Sequence, residues 1–188
     1  MSAPAERPAV PAPNPAAARA VTGFVLRFVG GWAVVIALVS WFPALDRWAI
    51  AQTIASLGGI ARLFRLGFTA SGSSVQIAGA SMQIVADCTP LMPIAALLIA
   101  VFAFPARWTW RGLGLAGGAI ALWLYNLLRI FALVPVLSWK PEWFDFIHVY
   151  LWQTMTLLVV FAIFLVWLRL QNRARTAPSA LPAAGSTP

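Results

Sequence analysis

The run "GLGLAGGAIALWLYNLLRIFALVPVL" (112–137) carries a single charged side chain, Arg129. An apolar segment of 18 or more residues is long enough for a helix to cross the hydrocarbon core of a bilayer. Two further runs meet that length: "FVLRFVGGWAVVIALVSWF" (24–42) and "FIHVYLWQTMTLLVVFAIFLVWL" (146–168). A fourth, "PLMPIAALLIAVFAF" (90–104), is shorter, and its flanks extend it towards the ~17 residues of a tilted span. Across the 188 residues, 61% are apolar and 10% charged, a balance that suits a bilayer better than water. The sequence therefore predicts an all-α polytopic membrane protein. About four transmembrane helices are expected, over 24–42, 89–105, 112–137 and 144–168, within one domain at 21–172. The Ala/Pro-rich ends, 1–20 and 173–188, lack periodic apolar pattern and are predicted to be disordered tails. No small-x-small cleavage site follows the first run before Pro43 and Asp46, so it is expected to be a retained span.

Basic residues set the expected orientation. The net charge is +8, yet the arginines form no stripe with interleaved aromatics, so no nucleic-acid partner is expected. They flank spans instead. Arg7, Arg19 and Arg27 precede or begin the first. Arg107 and Arg111 separate the second from the third, and Arg169, Arg173 and Arg175 follow the fourth. With four spans all three groups fall on one side, which the positive-inside rule makes cytoplasmic. Both termini are then cytoplasmic, and residues 46–88 and 138–145 lie outside. Within 47–66, Ile50, Ile54, Leu57, Ala61 and Phe64 recur at helical spacing, predicting an amphipathic helix on the outer surface with Asp46 as its N-cap. "SVQIAGASMQIV" (74–85) then alternates with period two on either side of Ala78-Gly79-Ala80, a signal for a small extracytoplasmic β-hairpin.

Three residues stand out from this background. Arg129 lies 17 residues past Gly112, about 26 Å along a helix. A buried guanidinium costs about 2.5–3.5 kcal/mol on insertion scales and ordinarily faces protein or a wet cavity. Tyr125 and Asn126 share its face at helical spacing; an arginine that merely snorkels to the headgroups leaves Asn126 unexplained. His148 is the sole histidine. With Pro141 in the first turn of the last span, it lies about two turns inside, and Asp145 is spaced to orient its imidazole. Cys88 is the sole cysteine, which excludes an internal disulfide and a multi-thiolate metal site. It is expected at the mouth of the second span, where Asp87 or Thr89 caps the helix, Pro90 fills the first turn and the positive end of the dipole faces a thiolate.

Taken singly, each has a bland reading: an inert buried thiol, an interfacial histidine, a snorkelling arginine. The predicted topology alters that balance, because three different helices bring all three to the same depth. Cysteine, histidine and arginine together suit acyl transfer. The thiolate attacks a carbonyl, the imidazole moves the proton, and the guanidinium binds the oxyanion or a substrate carboxylate. No cofactor and no metal ion are called for. Depth implies a substrate presented at the outer membrane surface.

At these positions the chain resembles the exosortase/archaeosortase family of membrane-embedded cysteine enzymes, over roughly residues 75–168. "DCTPL" stands where that family carries its nucleophile, "NLLR" is similar to its Asn-x-x-Arg element, and "FIHVY" to the segment with its third member. The resemblance implies Cys88 as nucleophile, Arg129 as essential arginine and His148 as acid/base, with Asn126 positioning Arg129 and Tyr125, Asp87 and Asp145 in support. It implies a bacterial inner-membrane protease or transpeptidase. Its substrate would be a protein ending in a transmembrane sorting signal, its product passed to an acceptor nucleophile. Thr89-Pro90 departs from the family's usual Ser-Gly, and the chain lacks the additional N-terminal spans of larger members. The rival expectation is a non-catalytic polytopic scaffold, with the Gly114–Gly118 pair packing helices within the protein or against a partner. A transporter is disfavoured by the missing inverted repeat.

Overall fold

The computed structural model describes residues 15–176, and the chain is mostly helical over that range. Its helices are α1 (Pro15–Trp41), α2 (Ala44–Leu63), α3 (Leu91–Ala103), α4 (Trp108–Trp139) and α5 (Trp152–Thr176). Three segments are long and apolar enough to cross a membrane: Ala18–Trp41, Trp108–Trp139 and Pro141–Arg175. The fourth expected span is shorter than the rest. α3 has 13 residues, about 20 Å at 1.5 Å per residue, against ~30 Å of hydrocarbon. It touches all three long helices, α1, α4 and α5. Leu97, Ile99, Val101 and Ala103 are all buried there.

Small residues let the helices close on one another. A Cβ at Gly31 of α1 would meet Ile99, one at Gly114 of α4 would meet the Trp167 indole, and one at Gly118 would meet Leu97 and Ile163. The G-x-x-x-G pair thus packs inside the protein. Leu97, Val101, Leu122 and Trp167 form the core of this helical end, and Trp167 Nε1 donates to the Trp110 carbonyl at 2.7 Å.

The tails differ from expectation in part. Residues 1–14 and 177–188 lie outside the described residues, while 15–20 and 173–176 belong to α1 and α5. Surface helix α2 starts at Ala44 after Pro43, so Asp46 sits in its first turn and is not its N-cap. The buried residues of α2 are Ala49, Thr53, Leu57, Gly58 and Ala61, with Ile50 and Ile54 half-buried beside them and Phe64 exposed.

In place of a hairpin the chain forms a three-stranded antiparallel sheet in the order β1 (Phe68–Ser71), β2 (Ser74–Ile77), β3 (Ala80–Gln83). The expected hairpin is β2–β3. Its register pairs Ile77 with Ala80, leaving a two-residue turn in which Ala78 (φ 50°) and Gly79 (φ 90°) both have positive φ. That geometry matches the right-handed twist of the strands. β1 adds to β2 through a second short turn at Gly72, φ 59°. Val75, Ile77 and Ala80 share one face of the sheet and pack with Leu57, Leu127, Ile130 and Val134 into a second apolar core.

Candidate active site

The chain leaves β3 through Ile84 and Val85 and enters a single 3₁₀ turn, Ala86–Cys88. Thr89 closes it: its Oγ1 donates to the Ala86 carbonyl at 2.7 Å, and its backbone N–H donates to the same oxygen at 3.0 Å. The start of α3 therefore differs from expectation. Pro90 is its N-cap and no side chain caps it, so Asp87 and Thr89 do not serve as helix caps.

Two side chains of α4 fix this turn. Asn126 Nδ2 donates to the Cys88 carbonyl at 2.8 Å, and Arg129 Nη1 donates to the Asp87 carbonyl at 3.4 Å. Both residues are 4% exposed. Asn126 thus holds the cysteine backbone, where it was expected to position Arg129. Three residues apart on α4, Asn126 and Arg129 reach two consecutive carbonyls of the facing chain, because helical neighbours at that spacing share a face.

The last helix arrives differently from the sequence expectation. Pro141–Trp143 forms a 3₁₀ turn, and Phe146–Leu151 winds as a π-helical turn before α5 begins at Trp152. His148 lies within the π turn, half-buried, with its ring stacked on Phe144 at 5.4 Å between centroids and 6° between planes. Its Nδ1 is buried and has no hydrogen-bond partner. Asp145 is exposed and does not bond that nitrogen, so the expected carboxylate–imidazole pair is not formed.

Between these elements lies a cavity of about 390 Å³. Arg129 from α4, His148 from the π turn, and Asp87 and Thr89 from the 3₁₀ turn all line it. The buried Arg129 Nε has no hydrogen-bond partner there. Cys88 sits between two lining residues but is not itself a lining residue; it is 8% exposed and belongs to the apolar core with Val75, Ile77 and Ala80. Arg129 and His148 thus face the same cavity from two different elements.

Tyr125 is placed one step away. Its hydroxyl lies 3.4 Å from Thr156 Oγ1, and its ring meets Trp152 edge-on at 6.0 Å. Gln153, Thr156 and Met92 complete the polar and apolar walls, and sequence reasoning missed all three. Gln153 follows His148 by five residues, a spacing that i→i+5 winding brings onto one face and that a search at helical period 3.6 passes over. Comparison with family models, with curated proteins and with solved structures returns no match.

Proposed function

We propose that the protein is a cysteine-dependent membrane peptidase or transpeptidase. Its substrate is a polypeptide tethered by a terminal transmembrane segment, cleaved at the outer face of a bacterial inner membrane with both chain termini cytoplasmic. One observation carries the reading: Arg129 and His148, from two different helices, line one cavity whose third wall is formed by the two neighbours of Cys88. The similarity of "DCTPL", "NLLR" and "FIHVY" to exosortase elements points the same way.

The chemistry follows from those groups. His148 takes the thiol proton, and the Cys88 sulfur attacks the scissile carbonyl carbon. The carbonyl electrons move onto oxygen, where the fixed guanidinium of Arg129 balances the negative charge. On collapse the C–N bond breaks and the imidazolium returns its proton to the leaving amine. The thioester left on Cys88 then passes its acyl group to water or to an acceptor nucleophile, and the thiol is regenerated.

The burial of Cys88 in the apolar core favours a second reading, a non-catalytic scaffold in which Arg129 and Asn126 serve only to hold the 86–88 turn. Cys88→Ala separates the two. The variant is expressed at wild-type level in the native host, and exported membrane-tethered proteins are followed by C-terminal mapping. Peptidase function predicts loss of C-terminal processing, and loss of a hydroxylamine-labile acyl adduct from the membrane-inserted variant. Processing that continues unchanged eliminates the nucleophile and leaves the scaffold.

A further inference from the structure

A second groove lies at the opposite end of the bundle. It has a volume of about 580 Å³ and runs between the first half of α1, the end of α3 and Phe164 of α5. α1 makes its principal contact with α3, so it stands away from α4 and α5 along this edge. Ten residues line the groove; Arg19 and Arg27 are its only charged ones, and Val21, Phe24, Phe104 and Phe164 are among its apolar walls.

Among the described residues, positive charge gathers here without a carboxylate beside it. Arg27 donates to the Ala103 carbonyl at 3.3 Å, Arg111 to Phe104 at 3.3 Å and Arg175 to Pro105 at 2.9 Å. Arginines from α1, α4 and α5 thus converge on the 103–105 segment, and their partners are neutral carbonyls. The described carboxylates lie at the other end. Asp46 follows the end of α1, Asp87 precedes α3, and Glu142 and Asp145 join α4 to α5. A groove lined by apolar side chains and two guanidinium groups has the two halves of a phospholipid site. Guanidinium forks match phosphate oxygens bidentately, and basic pockets between membrane helices hold anionic headgroups.

We infer that this groove binds an anionic phospholipid of the adjoining leaflet, its headgroup on Arg19 and Arg27 and an acyl chain along Phe24, Phe104 and Phe164. The site is separate from the cavity at Arg129 and His148, so its failure would leave the peptidase reading untouched.

The test uses the full chain, purified in detergent and equilibrated with phosphatidylglycerol and phosphatidylcholine at equal concentration. Lipid retained on the protein is read by native mass spectrometry. Wild type is expected to keep phosphatidylglycerol in preference to phosphatidylcholine. Arg19→Gln should weaken that retention about fivefold, and Arg19→Gln with Arg27→Gln roughly 30-fold. Arg47→Gln, at the other end, should leave it unchanged. The single variant protects the test, since Arg27 also bonds Ala103 and its loss disturbs the helix end. Equal retention of the two lipids by wild type overturns the site. So does wild-type preference persisting in Arg19→Gln.

Discussion

Replacing Asn126 by leucine removes a buried donor while keeping nearly the same side-chain volume. The Cys88 carbonyl then loses a 2.8 Å hydrogen bond in a setting where the carbonyl cannot turn to water. Leaving such a group unsatisfied costs about 1–3 kcal/mol. That cost falls on the closed form of the 86–88 turn, because once the turn opens its carbonyls are solvated. The closed–open equilibrium should therefore move by a factor of roughly 5 to 150. Cys88 supplies the readout. It is the only cysteine and is 8% exposed, so a maleimide modifies it only when the turn opens. In the regime where closing outpaces labelling, the rate follows the open population. Labelling in micelles at 25 °C, with helix content checked by circular dichroism, should be at least fivefold faster in Asn126→Leu. A rate within twofold of wild type, with both proteins fully labelled after denaturation, would refute the claim that Asn126 holds this turn closed.

Four further outcomes follow from the same geometry. Ala78 has φ 50° beside Gly79 at φ 90°, a left-handed conformation that costs an L-residue about 1–2 kcal/mol. Ala78→Asn creates the preferred Asn-Gly turn and should raise the midpoint of thermal unfolding. Gly118→Val drives its side chain into Leu97 and Ile163 and should destabilise by ~1–3 kcal/mol in denaturant titration. Gly117→Ala, with nothing within 4 Å of the added carbon, should be neutral or stabilising by up to ~1 kcal/mol. Arg129→Lys keeps the charge and loses the planar fork. Under the proposed function, C-terminal processing in the native host should fall at least tenfold, and wild-type processing would make Arg129 a structural cation.

What could be read from the sequence divides along a physical line. Runs such as 112–137 declared themselves because a helix in lipid must be long and apolar on every face. Arg129, Asn126 and His148 declared themselves as exceptions to that rule, and all three contact or line the region around the 86–88 turn. Strand β1 was illegible: Phe68-Thr69-Ala70-Ser71 shows no alternation, since its last three residues are all exposed. The π turn at 146–151 leaves no trace in a pattern scored at 3.6 residues per turn. Nor could the sequence show that Cys88 joins Val75, Ile77 and Ala80 in one buried core, because that depends on how the sheet packs on α4.

The shortness of α3 ties the two ends of the molecule together. A helix of 13 residues is about 10 Å shorter than a ~30 Å hydrocarbon layer, and non-helical backbone survives at membrane depth only where protein satisfies its polar groups. Each end of α3 meets that demand with side chains from its neighbours. At the start, Asn126 and Arg129 take the carbonyls of Cys88 and Asp87. At the finish, Arg27, Arg111, Gln171 and Arg175 take those of Ala103, Phe104 and Pro105. The arginines that read from sequence as markers of membrane side are thus also partners of the frayed ends of one short helix. Irregular backbone at Cys88 opens the room for a cavity that a continuous helix would have filled. The same shortfall in length that calls for Arg129 as a partner to the chain also leaves its unpaired Nε beside that cavity.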